Sequence, residues 1–373
     1  MLGENSPYKD HFYFVHLYDD FSGSPRVLSE MVKVIDGNKT LITSNTDGIL
    51  SRLSGVNIFK FNYKIETSKI KKILFFFFAN FNIFIILFRQ LLKNRKKDKR
   101  QIVIVNTMLP FGALLVARLF TTNTILYLHE TSIKPALLKN FLRFCISKCA
   151  KNIIYVSNYL NKKENFYRIK SKIVIYNPIS PILINKEIDF EYKFNERNII
   201  FLSSLVPYKG INDYIKIAHL SYNEGSNITF NLVLNCTAEQ FNLFKVNTCL
   251  PSNVCIYNRP NNLKEIYYKS SFVLNLSNPE LWVETFGLTL AEGMANGLIP
   301  IGPKVGGPAE VINDKCGFHF SHYEHDLILQ KINYLLANKH EYLCYAENAL
   351  KCSKEYTIDT YANSLNDFLK NIK

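Results

Sequence analysis

Glu284 and Glu292 bracket the run Glu-Thr-Phe-Gly-Leu-Thr-Leu-Ala-Glu, and the chemistry legible in this chain is organised around them. The run continues through Gly293 and Met294 to Gly297. Leu288, Leu290, Ala291, Met294 and Ala295 suit one buried helix that begins at Glu284 and is stopped by Asn296-Gly297. Between the two glutamates such a helix advances about 12 Å and turns about 80° beyond two full turns. The carboxylates therefore cannot share one metal or one proton, but they can grip two parts of one long ligand. The amides of Thr285, Phe286 and Gly287 fall at the positive end of that helix, where a phosphate is stabilised, and Gly287 permits close approach to the backbone. A ligand with a central diphosphate and hydroxyls at both ends fits, which describes a nucleotide sugar.

Two further stretches belong with this pair. Asn198 to Ser204 reads as a strand feeding the turn Val206-Pro207-Tyr208-Lys209-Gly210 and then a helix. A lysine at a helix entrance meets phosphate as a point charge. Downstream, Gly306-Gly307 stand before a helix opened by Pro308 and are expected to offer exposed amides as a second rim of the pocket.

The Glu284 to Glu292 run with Phe286-Gly287 inside it, Val305 to Glu310 downstream and Lys209-Gly210 upstream resembles the retaining glycosyltransferases of family four. The resemblance implies an α/β chain of the GT-B kind, two Rossmann-like domains facing a cleft. It implies transfer of a sugar from a nucleotide diphosphate sugar, with UDP or GDP as the expected nucleotide and no cofactor. By resemblance Glu284 holds the donor sugar, Glu292 the ribose hydroxyls, and Lys209 with the amides of residues 285–287 the diphosphate. The chain departs from the family at Ser203-Ser204, where Gly-Arg is expected. Ser204 lacks the guanidinium that would clasp phosphate at two points; Arg26 and Arg259 are candidate substitutes. His129, directly after the strand ending Leu126-Tyr127-Leu128, corresponds to a family histidine near the transferring sugar. Gly23, in the turn after the first strand, is placed to approach a donor phosphate or the acceptor. No Asp-x-Asp occurs, so a metal-held diphosphate is not expected. His319, His322 and His325 fan out at helical spacing and are not expected to bind metal.

These residues need an α/β frame. Short apolar runs at 12–17, 39–43, 56–61, 101–105, 123–128, 152–157 and 172–177 alternate with helical stretches, and so do runs at 198–203, 230–234, 254–257 and 272–276. Ser24 is expected to cap a helix starting at Pro25. The expected division is 1–178 and 179–355, with 356–373 a helix crossing back to the first domain. At 373 residues and 47% hydrophobic content, two cores are affordable. Eight cysteines without a C-x-x-C pair point to reduced thiols in the cytosol, and the opening fifteen residues carry no secretory pattern.

Net charge is +14, and residues 1–177 hold 28 Lys+Arg against 11 Asp+Glu, leaving 17 against 20 for the remainder. The basic half implies an anionic partner. No nucleic-acid-binding pattern accompanies it, so a membrane surface is expected and nucleic acid is not. Ile73 to Phe88 is almost wholly apolar between Lys69, Lys71, Lys72 and the basic run Arg89 to Arg100. Its length as a helix, about 24 Å, falls short of a bilayer core of about 30 Å. Residues 69–100 are thus expected to lie at an anionic membrane interface. The full expectation is a peripheral protein on the cytoplasmic face of the cell membrane, extending a lipid-linked oligosaccharide such as bacterial O-antigen or capsule. The alternatives are a sugar-nucleotide isomerase of the same architecture and a silent binding subunit of a polysaccharide assembly.

Overall fold

The computed structural model describes residues 10–64, 66, 68–95, 100–120, 122–169 and 171–372. Lys96, Lys97 and Lys99 of the basic run, and most of the opening stretch read for a secretory signal, lie outside the described residues. The chain forms two compact units: residues up to Ile175 together with those from Ala362 onward, and Tyr176–Tyr361.

In the first unit the elements run β1 (His11–Val15), α1 (Gly23–Val34), β2 (Asn38–Ser44), β3 (Asn57–Phe61) and α2 (Lys69–Asn94). Then follow β4 (Gln101–Asn106), α3 (Phe111–Leu119), β5 (Asn123–Leu128), α4 (Ala136–Cys149), β6 (Asn152–Tyr155), α5 (Asn158–Lys163) and β7 (Ser171–Val174). The strands pair all-parallel in the order β3-β2-β1-β4-β5-β6-β7. Helices cover both faces of such a sheet, so its central strands are continuous apolar runs, as in His11–Val15 and Asn123–Leu128. Helix α1 starts at Gly23, two residues ahead of the expected Pro25. Ser22 bonds to Asp20 Oδ1 through both its amide and its hydroxyl, and Asn106 Nδ2 holds the Ser24 carbonyl, closing the turn early.

The second unit runs α6 (Phe190–Glu196), β8 (Asn198–Ser204), α7 (Ile211–Asn223), β9 (Thr229–Asn235), α8 (Ala238–Asn247), β10 (Val254–Asn258), α9 (Leu263–Lys269) and β11 (Ser270–Leu274). It continues with α10 (Leu288–Met294), β12 (Ile299–Gly302), α11 (Pro308–Val311), β13 (Phe318–His319), α12 (His325–Ala337) and α13 (Lys339–Cys352). Its parallel sheet has the order β10-β9-β8-β11-β12-β13. Phe201, Tyr214, Phe230 and Phe272 fill the core between sheet and helices. The last helix, α14 (Ile358–Asn371), ends within the first unit, where Arg100 donates to the carbonyls of Leu369 and Ile372.

Helix α2 corrects the length argument made from the sequence. It has 26 residues and an apolar window long enough to cross a bilayer. What holds it to the domain is packing. Phe76, Ala79, Ile83, Leu87 and Leu91 recur on one face and are buried. On the same face Asn80 Oδ1 accepts from the Gly112 amide, and Asn94 Nδ2 donates to the Tyr13 hydroxyl. A Cβ at Gly112 would meet the Asn80 carbonyl oxygen at 2.2 Å, so α2 and α3 touch backbone to backbone.

Candidate functional site

In a doubly wound sheet the chain leaves neighbouring strands in opposite directions at one point, and the crevice at their carboxyl ends there binds ligands. In the second unit that point lies between β8 and β11. β8 exits through Ser203, Ser204 and the turn Pro207–Lys209; β11 exits through Asn275 toward Glu284. The two exits meet at Gly210, which has φ +81° and where a Cβ would sit 2.2 Å from the Leu276 carbonyl oxygen. Lys209 Nζ lies 2.5 Å from Glu284 Oε2, with the two side chains 25% and 20% exposed. Burial pushes the Glu284 carboxyl up, but Lys209, the Asn275 side chain and the Thr285 amide together hold it below its ordinary value. For Lys209 burial pulls down and Glu284 pulls up further, leaving the ammonium above its usual range. Both groups are charged throughout the neutral range. Tyr208 and Trp282, flanking this pair in sequence, stack at 5.3 Å with their planes 17° apart. Ser203 Oγ turns back to the Ser204 carbonyl.

Glu284 does not begin a helix. The Phe286 ring is buried against Tyr176 and Tyr356, and Gly287 at φ +95° stands outside the helical region, so α10 starts only at Leu288. The amides of Thr285, Phe286 and Gly287 therefore belong to a loop, and the separation computed along a continuous helix does not apply. Gly306 and Gly307 are buried, and the Gly307 amide donates to the Glu284 carbonyl at 2.9 Å. They brace the loop instead of offering exposed amides: a Cβ at Gly306 would lie 2.2 Å from the Glu284 carbonyl oxygen, and one at Gly307 2.2 Å from Phe286 Cα. Glu292 is fully buried, its Oε2 accepting from the Tyr267 hydroxyl at 3.0 Å.

In the first unit the strand order reverses between β1 and β4. His16, just after β1, is buried and bonded to Asn106 Nδ2 at 3.0 Å. Thr107, after β4, has φ +74°, an uncommon and strained value for a β-branched residue. His129 follows β5 with its ring 4.3 Å from that of Tyr127. Burial, then the neighbouring His16, push His129 down to about 3, so it acts as a neutral imidazole. Beside it, Glu130 Oε1 accepts from the Met108 amide at 2.7 Å, while Oε2 is buried without a hydrogen-bond partner. Burial raises this carboxyl to about 7 against the opposing backbone donors. Gly23 opens α1 with no atom within 4 Å of an added Cβ. His322 and His325 converge on Asp213 of α7, at 3.1 and 2.9 Å, while His319 bonds to backbone carbonyls instead. Among the described residues no group of three or more His, Cys, Asp or Glu side chains is arranged to hold a metal.

No curated protein sequence matches the chain. Residues 185–352 match the family described as glycosyl transferases group 1. The second unit carries a group 1 glycosyl transferase domain. Solved structures agree on the fold. HepE of Anabaena, in complex with UDP-glucose, superposes with a TM-score of 0.77 at 15% identity, covering 96% of this chain and 99% of that one. A glycosyltransferase from Rickettsia africae gives 0.74 at 16% identity, with coverage of 97% and 99%. Sucrose-phosphate synthase from Thermosynechococcus elongatus gives 0.71 at 13%, covering 97% and 98%. The fold is GT-B, and a chain with this domain on this fold is a glycosyltransferase.

Sequence reading of this glycosyltransferase missed Asn275, Glu130 and the Tyr208–Trp282 stack. A lone polar residue inside the apolar run 272–276 was the available signal for Asn275, and adjacency to His129 was the one for Glu130. Two expected results follow from the first unit. Gly23→Ala leaves thermal stability unchanged or slightly raised, by up to about 1 kcal/mol, because the site has room and alanine favours helix. Any loss of activity in that variant then reports a ligand approaching the backbone. For Glu130, a folded-state value above the ordinary 4.5 means the folded chain binds the proton more tightly. Stability is therefore highest below 4.5 and falls as pH rises toward 7. Glu130→Gln removes that slope in thermal melts; an unchanged slope would reject the assignment.

Proposed function

We propose that this protein transfers a glycosyl group from a UDP or GDP sugar, with retention of configuration, to a growing lipid-linked oligosaccharide of the bacterial O-antigen or capsule kind. The observation that carries the donor half is the Lys209–Glu284 pair at the switch point of a group 1 glycosyl transferase domain. HepE, solved with UDP and with UDP-glucose, supports a nucleotide sugar as the ligand class.

In this reading Lys209 moves from Glu284 toward the diphosphate and stabilises the charge that develops on the leaving group. Thr285, Phe286 and Gly287 line the pocket by their backbone, and Gly306-Gly307 fix that backbone. Glu284, released from its lysine, accepts hydrogen bonds from the donor sugar, and Glu292 meets the ribose hydroxyls once Tyr267 yields. Neutral His129 orients the sugar or acceptor by hydrogen bonding. With no carboxylate assigned as a covalent nucleophile, the acceptor attacks on the face the nucleotide leaves. The protein works on the cytoplasmic face of the cell membrane, with residues 69–100 against its anionic surface.

The test is a thermal-shift panel of UDP, GDP, dTDP and their sugars on the wild type and on Glu292→Ala. One nucleotide family should stabilise the wild type and not the variant. No shift with any nucleotide, in folded protein, favours the silent binding subunit, the reading that Ser204 in place of arginine supports. Product analysis showing inversion would reject retention.

A further inference from the structure

We propose that the membrane contact is made by a platform of three helices, α2, α3 and α4, rather than by the α2 segment alone. The outer face of α2 repeats the apolar character of its inner face. Ile70, Leu74, Phe78 and Phe81 recur at helical spacing and are 55–72% exposed. That stripe continues onto the neighbouring helices. Phe77, itself 46% exposed, has its ring 5.7 Å from Phe111 of α3 and 6.1 Å from Phe141 of α4. Phe111 and Phe141 lie 5.0 Å apart, so the three helices share one aromatic seam that opens to the surface. Beyond the seam Leu119 of α3 is 66% exposed, and Leu137 and Phe144 of α4 are 82% and 61% exposed.

Charge identifies what covers this face. None of the three helices contains an Asp or Glu. Lys71 and Lys72 on α2, Arg118 on α3 and Lys148 on α4 are exposed. Lys139 and Arg143, the other basic residues of α4, share the single buried Glu164, so one of their two charges is offset. Lys148 Nζ rests 5.9 Å above the Phe144 ring, the posture of a lysine whose stem follows an apolar surface while its charge stays in water. Exposed aromatic and aliphatic groups ringed by cations of a single sign match an interface of acyl chains under anionic headgroups. Several exposed large apolar groups in contact exceed the scattered ones normal for a monomer. The inner face of α2 is fixed in the domain core, so the platform lies on the bilayer without crossing it.

This inference deepens the membrane contact proposed for residues 69–100 and is independent of sugar transfer. The experiment is co-sedimentation of the full chain with vesicles of phosphatidylcholine alone or with phosphatidylglycerol added. Wild type sediments with the anionic vesicles, and added salt weakens the association. Leu137→Ser combined with Phe144→Ser, both on α4 and outside residues 69–100, lowers partitioning by at least about tenfold, as does Phe78→Ser with Phe81→Ser on α2. These are exposed positions where substitution leaves stability nearly unchanged, which thermal melts check. Wild-type binding that ignores the α4 pair overturns the platform and leaves the single-helix contact standing. No binding to anionic vesicles rejects both. A lipid-free dimer broken by the same substitutions would assign the face to a second copy of this chain and overturn the proposal.

Discussion

Lys209→Ala is expected to reduce transfer by about 10²–10³-fold, with the donor's apparent affinity falling by at least about tenfold. The reason is the position of Lys209 at the carboxyl end of β8, where the crevice opens and where Ser204 supplies no guanidinium. The same change leaves Glu284 partly buried without its cation. Its carboxyl then shifts upward, since burial is the largest influence on it and Lys209 the next. The folded protein loses about 1–3 kcal/mol with a charged hydrogen bond of this kind.

Glu284→Gln is the informative partner. It frees Lys209, so binding of the bare nucleoside diphosphate is kept or strengthened while transfer falls, because the sugar loses its carboxylate. Opposite effects on UDP or GDP thermal shifts in the two variants would establish that the lysine faces phosphate and the glutamate faces sugar. Equal shifts in wild type and Lys209→Ala would remove the lysine from the donor site. The pH dependence has a definite sign. Glu284 is held below its ordinary 4.5, so its share of the pair is present above that value and lost as pH falls through the depressed one. Lys209 is held above its ordinary 10.5, so its share is lost only as pH rises past that. Between these limits the pair gives no pH dependence, and any bell-shaped profile near neutrality must come from other groups, of which Glu130 at about 7 is a candidate.

The sheets were readable because strands buried on both faces leave near-continuous apolar runs, and Asn123–Leu128 matches its expected limits. β12 was not readable. Its sequence Ile-Pro-Ile-Gly is short, and a proline argues against a strand with neighbours on both sides, although Pro300 here stands opposite Val273 near the strand's start. At the site, the residue types at Lys209, Glu284 and Glu292 were evident, but their relations were not. The Lys209–Glu284 pair joins positions 75 residues apart, and only the sheet order brings the exits of β8 and β11 together. The helix expected from Glu284 failed for a tertiary reason: local spacing favours helix, yet the Phe286 ring is drawn between two tyrosines distant in sequence. Likewise no periodicity indicates that the outer face of α2 joins those of α3 and α4, because the contact depends on Phe77, Phe111 and Phe141 meeting in space.

Gly307→Ala should be the most damaging single-methyl change in the second unit. Its Cβ would lie 2.2 Å from Phe286 Cα, 2.3 Å from the Thr285 carbonyl oxygen and 2.4 Å from the Phe286 amide nitrogen, all backbone atoms that no rotamer change can move. Relief requires the 285–286 segment to retreat, and Phe286 resists because its ring is buried between Tyr176 and Tyr356. The retreat also breaks the hydrogen bond from the Gly307 amide to the Glu284 carbonyl, so the carboxylate loses its fixed position opposite Lys209. A loss of about 3 kcal/mol or more is expected in thermal or denaturant unfolding, together with loss of the nucleotide-induced shift. Phe286→Ala in the same background separates the two consequences. It removes the anchor and lets the loop move, so part of the stability lost to the alanine should return while donor binding stays weak. If the double variant is no more stable than the sum of the single effects predicts, the loop is not held between these two supports, and the assignment of Gly307 as its brace falls.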